Sequence, residues 1–310
     1  MLDALNSALA QDALRGLTAP EKTLNPKWLY DQRGSHLFEE ITELPEYYLT
    51  RTEAAILRDH AAALAGLVPA GGALVEFGAG ASVKTRTLLD AGSHFGAYVP
   101  IDISASFLAA SAASLRGQYP DMPILPVAGD FTQAVPLPVE IADAPKVGFF
   151  PGSTLGNLAP DMARQLMANA RAWPVVDAFI LGVDLVKDEA ELVAAYDDSQ
   201  GITAAFITNI LTRLNSEAAA DFDLSAFAYE AVWNADLDRI DMYIRSRADQ
   251  TVAVANTAVP FAKGERIHIS ASRKYTPATL SARMAEAGWS VETVLTDAQA
   301  RFAVAVLRPQ

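Results

Sequence analysis

The chain has 310 residues, 51% of them apolar and 20% charged, with a net charge of −13 and no cysteine. That length supports one large domain or two intimate ones with a substantial core. The composition excludes disulfides, thiolate nucleophiles and cysteine-based metal sites. The acidic balance opposes nucleic acid and anionic membrane as partners, so a small substrate is expected.

The N-terminus, "MLDALNSALAQDALRG", lacks the basic and continuous apolar regions of a signal peptide. The longest uncharged stretch, Ala61 to Val75, is too short to span a bilayer and contains Pro69, Gly71 and Gly72. The expected location is the cytoplasm. Residues 1–50 read as loop-rich, with aromatic residues between prolines, which suggests an ordered cap. Thr50 to Glu53, "TRTE", fits a capping box for the helix that leads to Pro69.

From residue 73 apolar strands alternate with helical stretches. The strands are "ALVEF" (73–77), "AYVPID" (97–102), "PILPVAG" (123–129), "KVGFF" (146–150) and "VVDAFILG" (175–182). This alternation argues for an α/β fold with a parallel sheet covered on both faces. Residues 188–274 interrupt it with a helical section and then a strand-like one. Beyond them, Thr276 and Pro277 read as an N-cap and first helical residue, and "PATLSARMAEA" stops at Gly288. "WSVETVLTD" and "RFAVAVLRP" then form a terminal hairpin. A hairpin closing a Rossmann-like parallel sheet is the usual ending of the class I methyltransferase sheet.

The turn after the first strand is Glu76-Phe77-Gly78-Ala79-Gly80-Ala81-Ser82. Two glycines permit close backbone approach of a ligand. Val83 stands where G-x-G-x-x-G has its third glycine, which weakens a dinucleotide reading. Asp102 ends the second strand and could accept both ribose hydroxyls, of NAD or of S-adenosylmethionine alike. Glu76 would be awkward beside a pyrophosphate but acceptable near a sulfonium. Asp130 could accept an adenine amino group, and Phe131 could lie against the ring. The four histidines, at 36, 60, 94 and 268, show no metal-like spacing, so no metal site is expected.

"PKWLYDQRGSHLFEEITELPEYYLTRTEAAIL" (26–57), "VEFGAGASVKTRTLLDA", "FFPGSTLGNLAP", "LGVDLVKDEAELVAAYDD" and "RIDMYIRS" strongly resemble the histidine Nα-methyltransferase family of ergothioneine biosynthesis. The resemblance runs from about residue 20 to the C-terminus. It implies an S-adenosylmethionine-binding domain (53–187 with 275–310) and an α+β substrate domain (1–52 with 188–274). It implies that S-adenosylmethionine is held by Tyr30, Gly78, Lys84, Asp102, Asp130 and Phe131. The amino-acid head group would meet Tyr47, Gly152, Asn157 and Tyr196, with Asn157 and Tyr30 acting at the reacting centre. Met242, Ser270 and Ser272 would line the side-chain end. Trp28, Trp233 and Phe38 read as core residues.

The activity implied is trimethylation of the α-amino group of histidine to its betaine, by a monomer acting on a small amino acid. One departure bears on the substrate. The family typically reads "TE-x-S-x-K-[FY]" where this chain reads "IHISASRKY". Aligned on Lys274 and Tyr275, Ser272 is kept and the imidazole-reading glutamate is replaced by Ser270. The alternative is therefore the same reaction on another α-amino acid, such as tryptophan or tyrosine.

Overall fold

The computed structural model describes residues 6–80 and 82–310. The chain opens with helices α1 (Ser7–Leu17) and α2 (Gln32–Glu43), separated by a 3-10 turn, Pro26–Leu29. There follow α3 (Leu49–Asp59), α4 (Ala61–Ala65), β1 (Ala73–Phe77), α5 (Val83–Leu89), β2 (Ala97–Asp102), α6 (Ala105–Gln118) and β3 (Val127–Ala128). Then come β4 (Lys146–Phe150), α7 (Pro160–Arg171) and β5 (Val176–Asp184). Next are α8 (Glu189–Ala194), α9 (Ile202–Glu217) and strands β6 (Phe227–Asn234), β7 (Arg239–Ser246), β8 (Gln250–Val254), β9 (Thr257–Phe261) and β10 (Arg266–Arg273). The chain closes with α10 (Pro277–Ala285), β11 (Trp289–Thr296) and β12 (Phe302–Pro309).

These elements form two compact units. One comprises the residues up to Tyr48 with Lys187–Arg273, the other Leu49–Val186 with Lys274–Gln310. Among the described residues, the second unit holds a seven-stranded sheet of order β11-β12-β5-β4-β1-β2-β3. Strands β1 to β5 are parallel, and β12 enters antiparallel between β5 and β11. This is the class I methyltransferase sheet. The strand order reverses between β1 and β4, the switch point where open α/β sheets bind ligands at their carboxyl edge.

The strands are central because they are apolar on both faces: all five residues of β1 and of β4 are buried. Phe77, Phe150 and Phe179 interlock, with Phe77 centred 5.7 Å from Phe150 and 6.1 Å from Phe179. Trp289, fully buried, stands edge-on to Phe179 and donates its indole N–H to Met167 O at 2.8 Å. Each such ring contributes about 2–3 kcal/mol through burial.

Lys274, where the chain re-enters this unit, is fully buried and pairs with equally buried Asp184 at 2.7 Å. The adjoining Tyr275 N–H donates to Asp184 O at 2.9 Å. Burial pulls the Lys274 pKa down, while Asp184 opposes that shift.

The first unit contains a three-stranded antiparallel sheet, β10-β7-β6, and the hairpin β8-β9, among the described residues. Cross-strand register puts Trp233, Ile240 and Ser272 on one face of the three-stranded sheet, with Ala231, Met242 and Ser270 beside them. Charged residues occupy the other face, where Asp241 accepts from Arg239 and pairs with His268 at 2.8 Å.

Three expectations need correction. Residues 6–50 are largely helical, because the prolines fall between helices rather than within them. In α1 the buried residues Leu9, Ala10, Ala13 and Leu17 form one stripe, and the Asn6 side chain caps it by accepting from Leu9 N–H. The Thr50–Glu53 capping box does not form, because α3 already begins at Leu49. The third strand shrinks to Val127–Ala128, since Pro123 and Pro126 have no N–H for a ladder.

Candidate active site

The carboxyl edge of the seven-stranded sheet is built around the turn after β1. Gly78 and Gly80 take positive φ, 64° and 49°. The N–H groups of Gly78 and Ala79 both donate to Ile101 O, at 2.9 and 3.2 Å. Gly80 N–H donates to Asp102 Oδ2 at 3.1 Å, and Ser104 N–H to Asp102 Oδ1 at 3.0 Å. Asp102 is thereby fixed at the end of β2. Each carboxylate oxygen has a second lone-pair direction suited to a ribose hydroxyl.

Asp130 Oδ1 accepts from the Thr132 N–H at 2.9 Å and its hydroxyl at 2.6 Å, which shapes the loop after β3. The Phe131 ring stands against Phe77 and Phe150, and a Cβ on Gly78 would lie 3.6 Å from it. Thus Gly78, Asp102 and Phe131 share one neighbourhood at adjacent strand ends. A half-buried carboxylate, an aromatic face and a glycine turn suit the adenosine of S-adenosylmethionine.

Glu76 does not face this edge, contrary to the sequence expectation. It is 2% exposed and accepts from the Thr85 hydroxyl and the Tyr98 phenol. Ser82 Oγ lies 3.1 Å from the same phenol. Burial pushes the Glu76 pKa up to about 7, even though both hydrogen bonds favour the carboxylate. Its place is inside, tying the start of α5 to the sheet.

Lys84, on α5, pairs with Glu53 of α3, and the Glu53 side chain is 0% exposed. Gly152 N–H donates to both Glu53 oxygens at 2.9 Å. Gly152 (φ 82°) and Ser153 (φ 57°) turn the chain after β4. The Ser153 hydroxyl accepts from Asp184 N–H at 2.9 Å. Asn157 closes the following 3-10 turn, Thr154–Asn157, and is exposed. The sequence reading gave Glu53 only a capping role, not this ion pair. The signal was an acid on the same α3 stripe as Ile56 and Leu57, where a carboxylate requires a partner.

The first unit assembles a second cluster. The rings of Tyr47 and Tyr196 meet edge-on, 6.0 Å between centroids. Tyr196 is buried, its hydroxyl is 2.8 Å from Ser272 Oγ, and its carbonyl accepts from Tyr229 OH at 2.6 Å. Burial and nearby Asp197 drive the Tyr229 pKa well above its ordinary value, so this phenol stays protonated as a donor. Ser270 and Met242, also buried, lie opposite each other on the same sheet face as Ser272. That face carries no charged side chain on β6, β7 or β10 at these paired positions. Trp233, expected in the core, is only partly buried and stands on this face.

Tyr30 belongs to a different cluster of this unit. It packs edge-on against Phe38 and Phe206 at 5.7 and 5.4 Å and is 51% exposed. Trp28 and Phe38 are likewise partly rather than fully buried. Among the described residues, no group of three or more His, Asp or Glu side chains could hold a metal ion, and no helix is long and apolar enough to cross a membrane.

Comparison with known proteins shows the family of the chain. The profile of the family described as "Histidine-specific methyltransferase, SAM-dependent" matches residues 9–309. The histidine N-alpha-methyltransferase of Mycolicibacterium smegmatis is 44% identical over 298 residues, covering 92% of this chain and 90% of that protein. Its Mycobacterium tuberculosis counterpart is 43% identical over 296 residues, with the same coverage of both chains. Among solved structures, an S-adenosylmethionine-dependent methyltransferase from Clostridium acetobutylicum is similar at a TM-score of 0.49 and 10% identity, covering 89% of this chain and 98% of that one.

Proposed function

Because the chain belongs to the S-adenosylmethionine-dependent, histidine-specific methyltransferase family, we propose that it methylates the α-amino nitrogen of histidine three times, to the betaine. The observation that supports this reading is the near full-length match to two proteins named histidine N-alpha-methyltransferase. S-adenosylmethionine, when bound, supplies an electrophilic methyl carbon on a sulfonium. Gly78, Asp102, Asp130 and Phe131 would hold its adenosine and Lys84 its carboxylate; Tyr30 is assigned to the same ligand.

Asn157 is assigned to the substrate amine. Its amide oxygen accepts an amine N–H without adding charge. A carboxylate there would favour the ammonium, whose nitrogen has no lone pair to react. Tyr47 and Tyr196 are assigned to the substrate carboxylate, as hydroxyl donors, and Gly152 to the head group through its backbone. These groups position and desolvate rather than transfer protons, so the acceleration comes from orientation and electrostatics.

Met242, Ser270 and Ser272 are assigned to the side chain. The neutral Ser270 favours a second reading, in which the acceptor is an aromatic amino acid such as tryptophan or tyrosine. Incubation with methyl-labelled S-adenosylmethionine and each of the twenty amino acids separates the two. Histidine giving a trimethylated product as the best acceptor is the expected result. Turnover of an aromatic amino acid with histidine inert would replace the first reading by the second.

A further inference from the structure

We propose that Glu53 is a positioning residue that aims the Lys84 ammonium at the carboxylate of the bound methyl donor; this rests on the assignment of Lys84 given above. Three observations support it. The Glu53 side chain is wholly buried, and a buried carboxylate is retained only where it is paired. Its pairing is specific: the Lys84 ammonium on one oxygen, and the Gly152 N–H on both. The fold also reserves its space, since a Cβ on Gly182 of β5 would run into Glu53 Oε1.

Lys84 stands in the first turn of α5 with its side chain 21% exposed. A lysine there, without an anchor, would sample many rotamers in solvent. Glu53 removes that freedom while the ammonium keeps donor capacity beyond one bond. The same carboxylate fixes the loop after β4, so one buried group sets both the α5 cation and the Gly152 backbone.

Calorimetric titration of the full chain with two ligands tests this. S-adenosylhomocysteine carries the amino-acid carboxylate, and 5′-methylthioadenosine lacks it. Glu53→Gln, which keeps the shape and an acceptor for Gly152, should raise the Kd of S-adenosylhomocysteine about tenfold while leaving methylthioadenosine within about twofold. Gly182→Ala, which keeps every polar group but takes the carboxylate's space, should show the same selectivity. A purely structural role would weaken both ligands together.

Lys84→Met separates the layers of the argument. If it loses S-adenosylhomocysteine selectively while Glu53→Gln and Gly182→Ala do not, the Glu53 proposal is overturned alone. If Lys84→Met weakens both ligands equally, or neither, the Lys84 assignment fails and the Glu53 proposal fails with it.

Discussion

The carboxyl edge of the seven-stranded sheet and the Tyr196 face of the three-stranded sheet solve opposite problems. At the first, charges are abundant and tied to specific partners: Glu53 to Lys84, Asp102 to backbone N–H groups, Lys274 to Asp184. At the second, the side chains are hydroxyls, a thioether and aromatic rings, and the ionic groups lie on the opposite face. Fixed charge suits a ligand whose ionic state is constant. On the proposed assignment, the neutral face meets the substrate's carboxylate and side chain through hydroxyls, which donate without adding charge.

The comparison can be broken most severely at the buried ion pair. Lys274→Met removes the buried ammonium paired with the fully buried Asp184, so unfolding in urea should show a loss of about 3–5 kcal/mol. Asn157→Ala should leave folding unchanged, since this residue is exposed. Its expected effect is on kcat/KM, a loss of roughly a hundredfold or more, with S-adenosylhomocysteine affinity intact. Loss of both together would move Asn157 to the cofactor side.

Glu76→Gln sharpens the charged side of the comparison. The carboxyl pKa is raised from 4.5 to about 7 in the fold, so between those pH values the folded state binds more protons than the unfolded state. Stability from this group is therefore present at low pH and lost as pH rises through 7. Relative to the parent, Glu76→Gln should gain about 2–3 kcal/mol between pH 4.5 and 8, read from urea midpoints across that range. A flat difference would place the buried proton elsewhere.

The smallest effect tests the neutral side. Ser270→Glu should lower the KM for histidine roughly tenfold through a charge-assisted bond to the imidazole N–H. An unchanged or higher KM would show that this position does not face the ring.

Much of the sheet was legible as a pattern. β1, β2 and β4 have the predicted bounds, because each is a short apolar run closed by glycine, proline or aspartate. The terminal hairpin and its capped α10 were equally plain, since Thr276 accepts from Thr279 N–H and Pro277 begins the helix. The first fifty residues misled because prolines between helices resemble prolines in loops. Strand β9, Thr257–Phe261, went unread because Pro260 interrupts its apolar signal.

The amino-acid sequence by itself determined the class of sheet, the glycine turn with Asp102 and Phe131 at successive strand ends, and the family. Those properties reside in short-range periodicity and in motifs a few residues long. Only the tertiary structure decided where the acids point. Glu76, adjacent to the turn, is drawn inward by Thr85 and Tyr98, while Glu53, distant in sequence, reaches Lys84 and Gly152. A carboxylate's role depends on which donors surround it in space, and those donors lie from nine to 99 residues away along the chain.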